Sequence, residues 1–241
     1  MVFSVSLTTE SRMPTIVFVS PKGGAGKTTS ALVLAEQLAR SADVTVVDAD
    51  PNHPIHTWAS GENTPKRLRV VSDADEENMI EIIEEAAAQT PFVIVDLEGT
   101  AAKIVLLAVS QADLVIVPTQ GSQLDAKQAS RALRVIKQQE KMSRRPVPYG
   151  VLLTRTSPII RTRTMAHINT AFADAGISVF ATELNEREAF KAMFSFGEPL
   201  AHLDTREVSN LDKAIANAEA FATEVVSTLR QNKAASATEA A

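Results

Sequence analysis

Apolar residues fall along this chain in short unbroken runs, separated by longer stretches in which they recur every three or four positions. The runs Ile16-Val17-Phe18-Val19, Val44-Thr45-Val46-Val47, Leu68–Val71, Phe92-Val93-Ile94-Val95, Leu114–Val117, Tyr149–Leu153 and Ile177–Phe180 are rich in β-branched residues and read as strands. Helical periodicity runs from Lys27-Thr28-Thr29 through Ala39, then over Glu76–Ala88, Ala101–Val109, Ser122–Met142, Thr162–Ala175, Glu186–Phe194 and Asn210–Leu229. Pro118 closes the fifth strand, and Pro51 to Pro65 reads as loop with one helical turn around Trp58. Strands that alternate with helices and lack a polar face predict a parallel sheet covered on both sides. The expectation is a single doubly wound α/β domain over residues 13–230. Residues 1–12 read as a disordered leader, or as sequence upstream of a start at Met13, and residues 231–241 as a frayed, flexible tail.

The junction of the first strand and first helix carries the chemistry. Pro21-Lys22-Gly23-Gly24-Ala25-Gly26-Lys27-Thr28-Thr29 joins a buried run to a helical pattern, the layout of a phosphate-binding loop and hence of a P-loop NTPase. Glycines let the backbone turn its N–H groups inward, with no Cβ in the way of an approaching phosphate. The helix N-terminus adds unpaired donors and a positive dipole end. Lys27 is placed to reach the β- and γ-phosphates and the Thr28 hydroxyl to ligate Mg²⁺. Asp48, Asp50 and Asp96 stand at or just past strand ends, where such sheets bind ligands. Asp96 has the Walker B position for holding Mg²⁺, directly or through water.

Composition narrows the setting. The chain has 241 residues, 45% hydrophobic and 22% charged, as expected of a soluble domain. It has no cysteine, which excludes disulfides, thiolate zinc sites and cysteine-held iron–sulfur clusters, and suits a cytoplasmic location. The net charge of −5 conceals an asymmetry: residues 126–169 hold ten basic side chains against the single acid Glu140, a local +9 that leaves −14 on the rest. Lys127, Arg131, Arg134, Lys137 and Lys141 recur at steps of four, three, three and four, making a stripe opposite Ala129, Ala132, Val135 and Ile136. Few aromatics accompany the stripe, so a duplex backbone suits it better than single strands. A solvated helix face would be the plainer explanation, but such faces mix both signs of charge.

Lys22-Gly23-Gly24-Ala25-Gly26-Lys27-Thr28-Thr29 resembles the deviant Walker A motif of the ParA/MinD superfamily of ATPases, and Val47-Asp48-Ala49-Asp50-Pro51 and Val95-Asp96 with Gly99 are similar to its later motifs. The resemblance runs from Pro14 to Leu229. It implies an ATP-dependent homodimer in which Lys22 reaches the phosphates of the other subunit's nucleotide, supplying charge where the transition state needs it. It implies that Asp50 orients the attacking water and stands near the Mg²⁺, that Asp48 supports the metal shell or holds its loop, and that Thr154 and Arg155, with Leu184-Asn185 as a second wall, flank the adenine. It also brings in Arg206, with Arg187 and Lys191, as further DNA contacts. Two departures stand out. Relatives commonly have Asp-x-Pro-Pro after the Walker B strand, where this chain has Asp96-Leu97-Glu98-Gly99-Thr100, so that Glu98 adds a negative charge near the γ-phosphate. Where many have Pro-Gln after the second acid, it has Pro51-Asn52.

Within that superfamily, the lack of cysteine excludes nitrogenase-type reductases and the single Tyr149 excludes the tyrosine-tailed kinases. The end of the chain lacks the apolar, basic face of a membrane-binding helix. What remains resembles the small ParA proteins of partition systems. The implied function is a slow, partner-stimulated ATPase, nucleoid-associated, that binds non-specific duplex DNA and works with a small centromere-binding or cargo-adaptor protein and no membrane. The alternative is a ParA-like positioning protein for a non-DNA cargo, with the stripe facing an acidic partner.

Overall fold

The computed structural model describes residues 13–20, 23–98, 102–121, 123–157 and 163–239, with side chains described except at 102, 123–128, 163–165 and 239. The elements are β1 (Thr15–Phe18), α1 (Lys27–Ala39), β2 (Val44–Ala49), α2 (Pro54–Ala59), β3 (Leu68–Val71), α3 (Met79–Gln89), β4 (Phe92–Leu97), α4 (Ala102–Gln111), β5 (Leu114–Gln120), α5 (Gln123–Ser143), β6 (Tyr149–Thr156), α6 (Arg163–Asp174), β7 (Leu184–Asn185), α7 (Glu188–Phe196) and α8 (Leu211–Glu239).

Seven strands pair in the order β3-β2-β4-β1-β5-β6-β7, every pair parallel. From β1 the chain first builds toward β2 and β3, then returns through β4 and moves to the other side with β5. The reversal puts a crevice at the carboxyl ends of β1, β4 and β5, where this topology binds its ligands. Two cores sandwich the sheet. One face packs against α1, α2, α7 and α8, with Leu32, Leu34, Trp58, Met193 and Phe221 at its centre. The other packs against α3, α4, α5 and α6, through Ile83, Val109, Ile136 and Phe172. Burial on both faces explains the continuous apolar runs: all six residues of β2 are buried.

Four local expectations change. β5 runs through Pro118 to Gln120. Val115 N–H donates to Pro148 on the β6 side, whereas the Ile116 carbonyl accepts from Val19 on the β1 side. By alternation, Pro118 turns its missing N–H toward the β1 side, beyond the last β1 residue paired with β5, where no ladder bond is lost. Ile177–Phe180 forms only an isolated bridge, Val151 to Val179, and the last strand is instead Leu184–Asn185. β6 extends to Thr156, taking Thr154 and Arg155 into the strand. The last helix continues past Leu229 to Glu239, so the expected frayed tail is helical as far as that residue. Alanine at 234, 235 and 237 favours a helix without any core to pack against. The leader at residues 1–12 lies outside the described residues.

One buried charge ties the first face together. Glu36 on α1 is 4% exposed and accepts the Leu200 backbone N–H at 3.0 Å, anchoring the short 3-10 turn Leu200–His202 to the central helix. Burial raises its pKa, and the backbone bonds from Leu200 and Ala201 oppose the rise.

Candidate active site

The loop after β1 has the backbone of an anion cradle. Gly24 (φ 76°) and Gly26 (φ 95°) occupy the left-handed region that glycine enters without strain. A Cβ on Gly24 would meet nothing within 4 Å. Gly26 is the N-cap of α1 and offers no side-chain cap; its carbonyl accepts the Ser30 N–H at 2.9 Å, so the first N–H groups of the helix are left for a ligand. Lys27, at the first turn, is 8% exposed.

Two neighbouring strands hold this loop from below. The Thr154 hydroxyl, at the end of β6, donates to the Ala25 carbonyl at 2.7 Å, and its side chain would touch a Cβ placed on Gly26 at 3.4 Å. The Gln120 side-chain amide, at the end of β5, donates to the Gly24 carbonyl at 2.8 Å. Thr154 is 2% exposed and its hydroxyl is engaged, so in this structure it acts as a prop under the loop. Arg155 turns outward at φ 52°, beside a register irregularity between β6 and β7, and is exposed. On the second expected wall, Leu184 is buried, and Asn185 donates to the Thr156 hydroxyl at 2.9 Å.

The acids divide by role. Asp48, wholly buried at the end of β2, accepts the backbone N–H groups of Ile55 and His56 at 2.9 Å each, and so caps α2 from outside the helix. Of the two roles open to it, holding the loop is the one it performs here. Burial raises its pKa against the pull of those bonds. Asp50 is half-buried and accepts from the Asn52 backbone at 2.9 Å and the Asn52 side chain at 3.1 Å.

Asp96 differs from both. It pairs in register with Phe18 on one side and Asp48 on the other, has no exposed surface, and among the described residues neither carboxylate oxygen has a hydrogen-bond partner within 3.5 Å, the Thr28 hydroxyl being its nearby neutral donor. Burial raises its pKa to about 7; the Thr28 hydroxyl and the Lys27 charge oppose the rise, while Asp48 and Asp50 reinforce it. A buried carboxylate without a partner is costly, and a divalent cation would satisfy it. Thr28, Asp96 and Asp50 suit Mg²⁺, which takes few protein ligands and keeps water and substrate phosphate oxygens in its shell. No group of three or more His, Cys, Asp or Glu side chains that could hold a metal ion occurs among the described residues.

The basic stripe lies elsewhere. On α5, Ala129, Ala132, Leu133 and Ile136 are buried, while Arg131, Arg134, Lys137 and Lys141 are exposed. Among the described residues, Arg134, Lys137 and Lys141 pair with no carboxylate. Arg206 does not join them: it is engaged by Asp204 through Nε and Nη2, and it follows Leu203, in the core on the other face of the sheet. Lys191 likewise pairs with Glu186 and Glu188, and Arg187 donates to Asn185. Lys22 and Gly99 lie outside the described residues, as does the side chain of Lys127.

Residues 13–231 match the VirC1 protein family. The chain is 37% identical over 211 residues to Protein ParA of Rhizobium radiobacter, covering 87% of this chain and 95% of that protein. It is 23% identical over 201 residues to the Maintenance of carboxysome distribution protein A of Halothiobacillus neapolitanus, covering 83% and 92%. Among solved structures, an ATP complex of a Cyanothece McdA variant superimposes with a TM-score of 0.71 at 19% identity, covering 90% of this chain and 97% of the other, a likeness of fold.

Asp96 yields a test in the nucleotide-free protein. Its folded pKa is raised above the unfolded value, so between about pH 4 and pH 7 the folded state binds more protons, and stability falls as pH rises through that window. Glu36 and Asp48 shift in the same direction. Asp96→Asn is expected to flatten this slope and to raise the melting temperature at pH 8 relative to the parent. Parallel melting curves against pH for the two proteins would contradict the assignment.

Proposed function

Because the chain belongs to the VirC1 family, in the ParA/MinD superfamily of ATPases, we propose that it is an Mg²⁺-dependent ATPase that dimerises on ATP, holds duplex DNA without sequence preference and releases it when a small partner protein stimulates hydrolysis. The observation that carries the nucleotide reading is the uncapped N-terminus of α1, reached through left-handed Gly24 and Gly26, beside a buried Asp96 with no partner. Backbone N–H groups from Gly23 to Thr29 would surround the β-phosphate and Lys27 would reach the γ-phosphate. Mg²⁺, when bound, would neutralise charge on the β- and γ-oxygens. Thr28 and Asp96 would hold it, and Asp50 would orient water for attack. Lys22 would reach across to the partner subunit's nucleotide, so that each site is completed by a second copy of the chain. The γ-phosphate then holds the dimer together, and its loss is the switch.

The charge of α5 supports DNA as the polyanion. Its exposed cations carry almost no compensating acid, and a duplex backbone takes such a face without base readout. A nucleoid-associated, cytoplasmic protein is the setting this implies, and no helix among the described residues is long and apolar enough to cross a membrane. The second reading, a positioning protein for a non-DNA cargo, is favoured by the similarity to the carboxysome distribution protein.

Two variants separate these claims. Lys22→Ala is expected to keep nucleotide binding but to lose partner- or DNA-stimulated hydrolysis by at least ~10-fold, within the range for a charge aimed at the transition state; equal stimulated turnover removes the cross-subunit role. Arg134→Glu combined with Lys137→Glu is expected to weaken ATP-dependent DNA retention at least ~10-fold at low salt, reduce the salt slope by about 2 and leave ATP binding intact. Unchanged retention in the variant puts the DNA contacts off α5, and a parent with no ATP-dependent, salt-sensitive retention favours the non-DNA cargo.

A further inference from the structure

Glu98 is the charged residue of the crevice to which the reading above gives no task. Its position follows from the alternation of two neighbouring strands. On β2, Val44 and Val46 pack into the core on the α1 side, whereas Val47 and Ala49 pack on the opposite side. Continuing that alternation puts Asp48 and then Asp50 on the α1 side. On β4, Ile94 packs on the α1 side and Val93, Val95 and Leu97 on the other, so Asp96 and Glu98 share the α1 side as well. The paired rows read Asp48 with Asp96 and Ala49 with Leu97, where both strands end, so Asp50 and Glu98 are the first residues past two neighbouring strand ends. Neighbouring strands are spaced ~4.8 Å apart.

Carboxylates carried at neighbouring strand ends can converge on one water molecule, with each hydrogen bond near ~2.8 Å. Both have capacity to spare. Glu98 is exposed and has no hydrogen-bond or ion-pair partner among the described residues. The Asp50 bonds to Asn52 all fall on Oδ1. The neighbouring row supplies an independent sign that a ligand belongs here: Asp96, on the same face of β4, is wholly buried with both oxygens unpartnered.

We infer that Glu98 is a second carboxylate of the hydrolytic centre, which together with Asp50 accepts the two hydrogens of the attacking water and fixes its oxygen toward the γ-phosphorus. The inference rests on the ATPase reading. In the step, the water oxygen bonds to the γ-phosphorus as the bond from phosphorus to the β–γ bridging oxygen breaks. The electron pair of that bond leaves with ADP, and a water proton passes to one of the two carboxylates and then to solvent. Glu98 thus acts on the nucleophile and not on the binding of ATP, so its removal should affect turnover and spare affinity.

The test uses the full chain with MgATP and compares the parent with Glu98→Gln and Glu98→Asp, alongside Lys27→Ala. Expected for Glu98→Gln are a fall in kcat of at least ~10-fold, an ATP Kd within about threefold of the parent, and ATP rather than ADP recovered from the protein after a single turnover period. Glu98→Asp, which keeps the charge, should regain part of the rate. A kcat within twofold of the parent in Glu98→Gln, or a loss of rate matched by an equal loss of affinity, overturns the inference. If the parent itself binds no MgATP, or binds it no better than Lys27→Ala, the ATPase reading fails first and the inference with it.

Discussion

A carboxylate buried without a partner, next to a helix that begins without a cap, is the constraint around which the rest of this structure is arranged. Both features are unfavourable in isolation: among the described residues the Asp96 oxygens have no hydrogen-bond partner, and α1 begins with no side-chain cap. They are complementary only through a third body, since an anion satisfies the helix and a cation satisfies the carboxylate. A phosphate chain carrying a divalent ion supplies both. The parallel sheet keeps the arrangement in place, because β4 and β1 end side by side and their two cores leave no freedom to relax.

Support for the loop comes from residues far away in sequence. Thr154 and Gln120 hold the carbonyls of Ala25 and Gly24, so two strands fix the orientation of the peptide groups of the glycine loop. Asp48 does the same for the second loop by capping α2, which sets the path of the chain just after Asp50. The crevice is therefore prepared by side chains that need not touch the ligand, an arrangement that lowers the cost of organising the site on binding.

The hydrophobic pattern disclosed most of this architecture, because strands buried on both faces leave an unmistakable run of apolar residues. The glycine loop and Asp96 were legible for a similar reason: their chemistry is local, and a few consecutive residues carry it. The props of the loop escaped because they are non-local. Nothing around Thr154 announces that it lies under Gly26, since that contact joins residues 129 positions apart through β5 and β6. Gln120 was hidden by Pro118, which reads as a strand end until the neighbouring β1 is known to have stopped. The extension of α8 to Glu239 was missed because its last residues are held by propensity and bury nothing that a periodicity could reveal. Arg206 is exposed and pairs with Asp204, two residues away, a local contact that its charge alone does not announce.

The central claim is that Asp96 and the α1 N-terminus form one site, in which metal and phosphate bind together. Titrating ATP into the nucleotide-free protein by calorimetry, with Mg²⁺ and then with the metal chelated, tests it directly. The account predicts binding that weakens at least ~10-fold without Mg²⁺ in the parent, and a much smaller dependence on the metal in Asp96→Asn. Equal affinity with and without Mg²⁺ in the parent would contradict it.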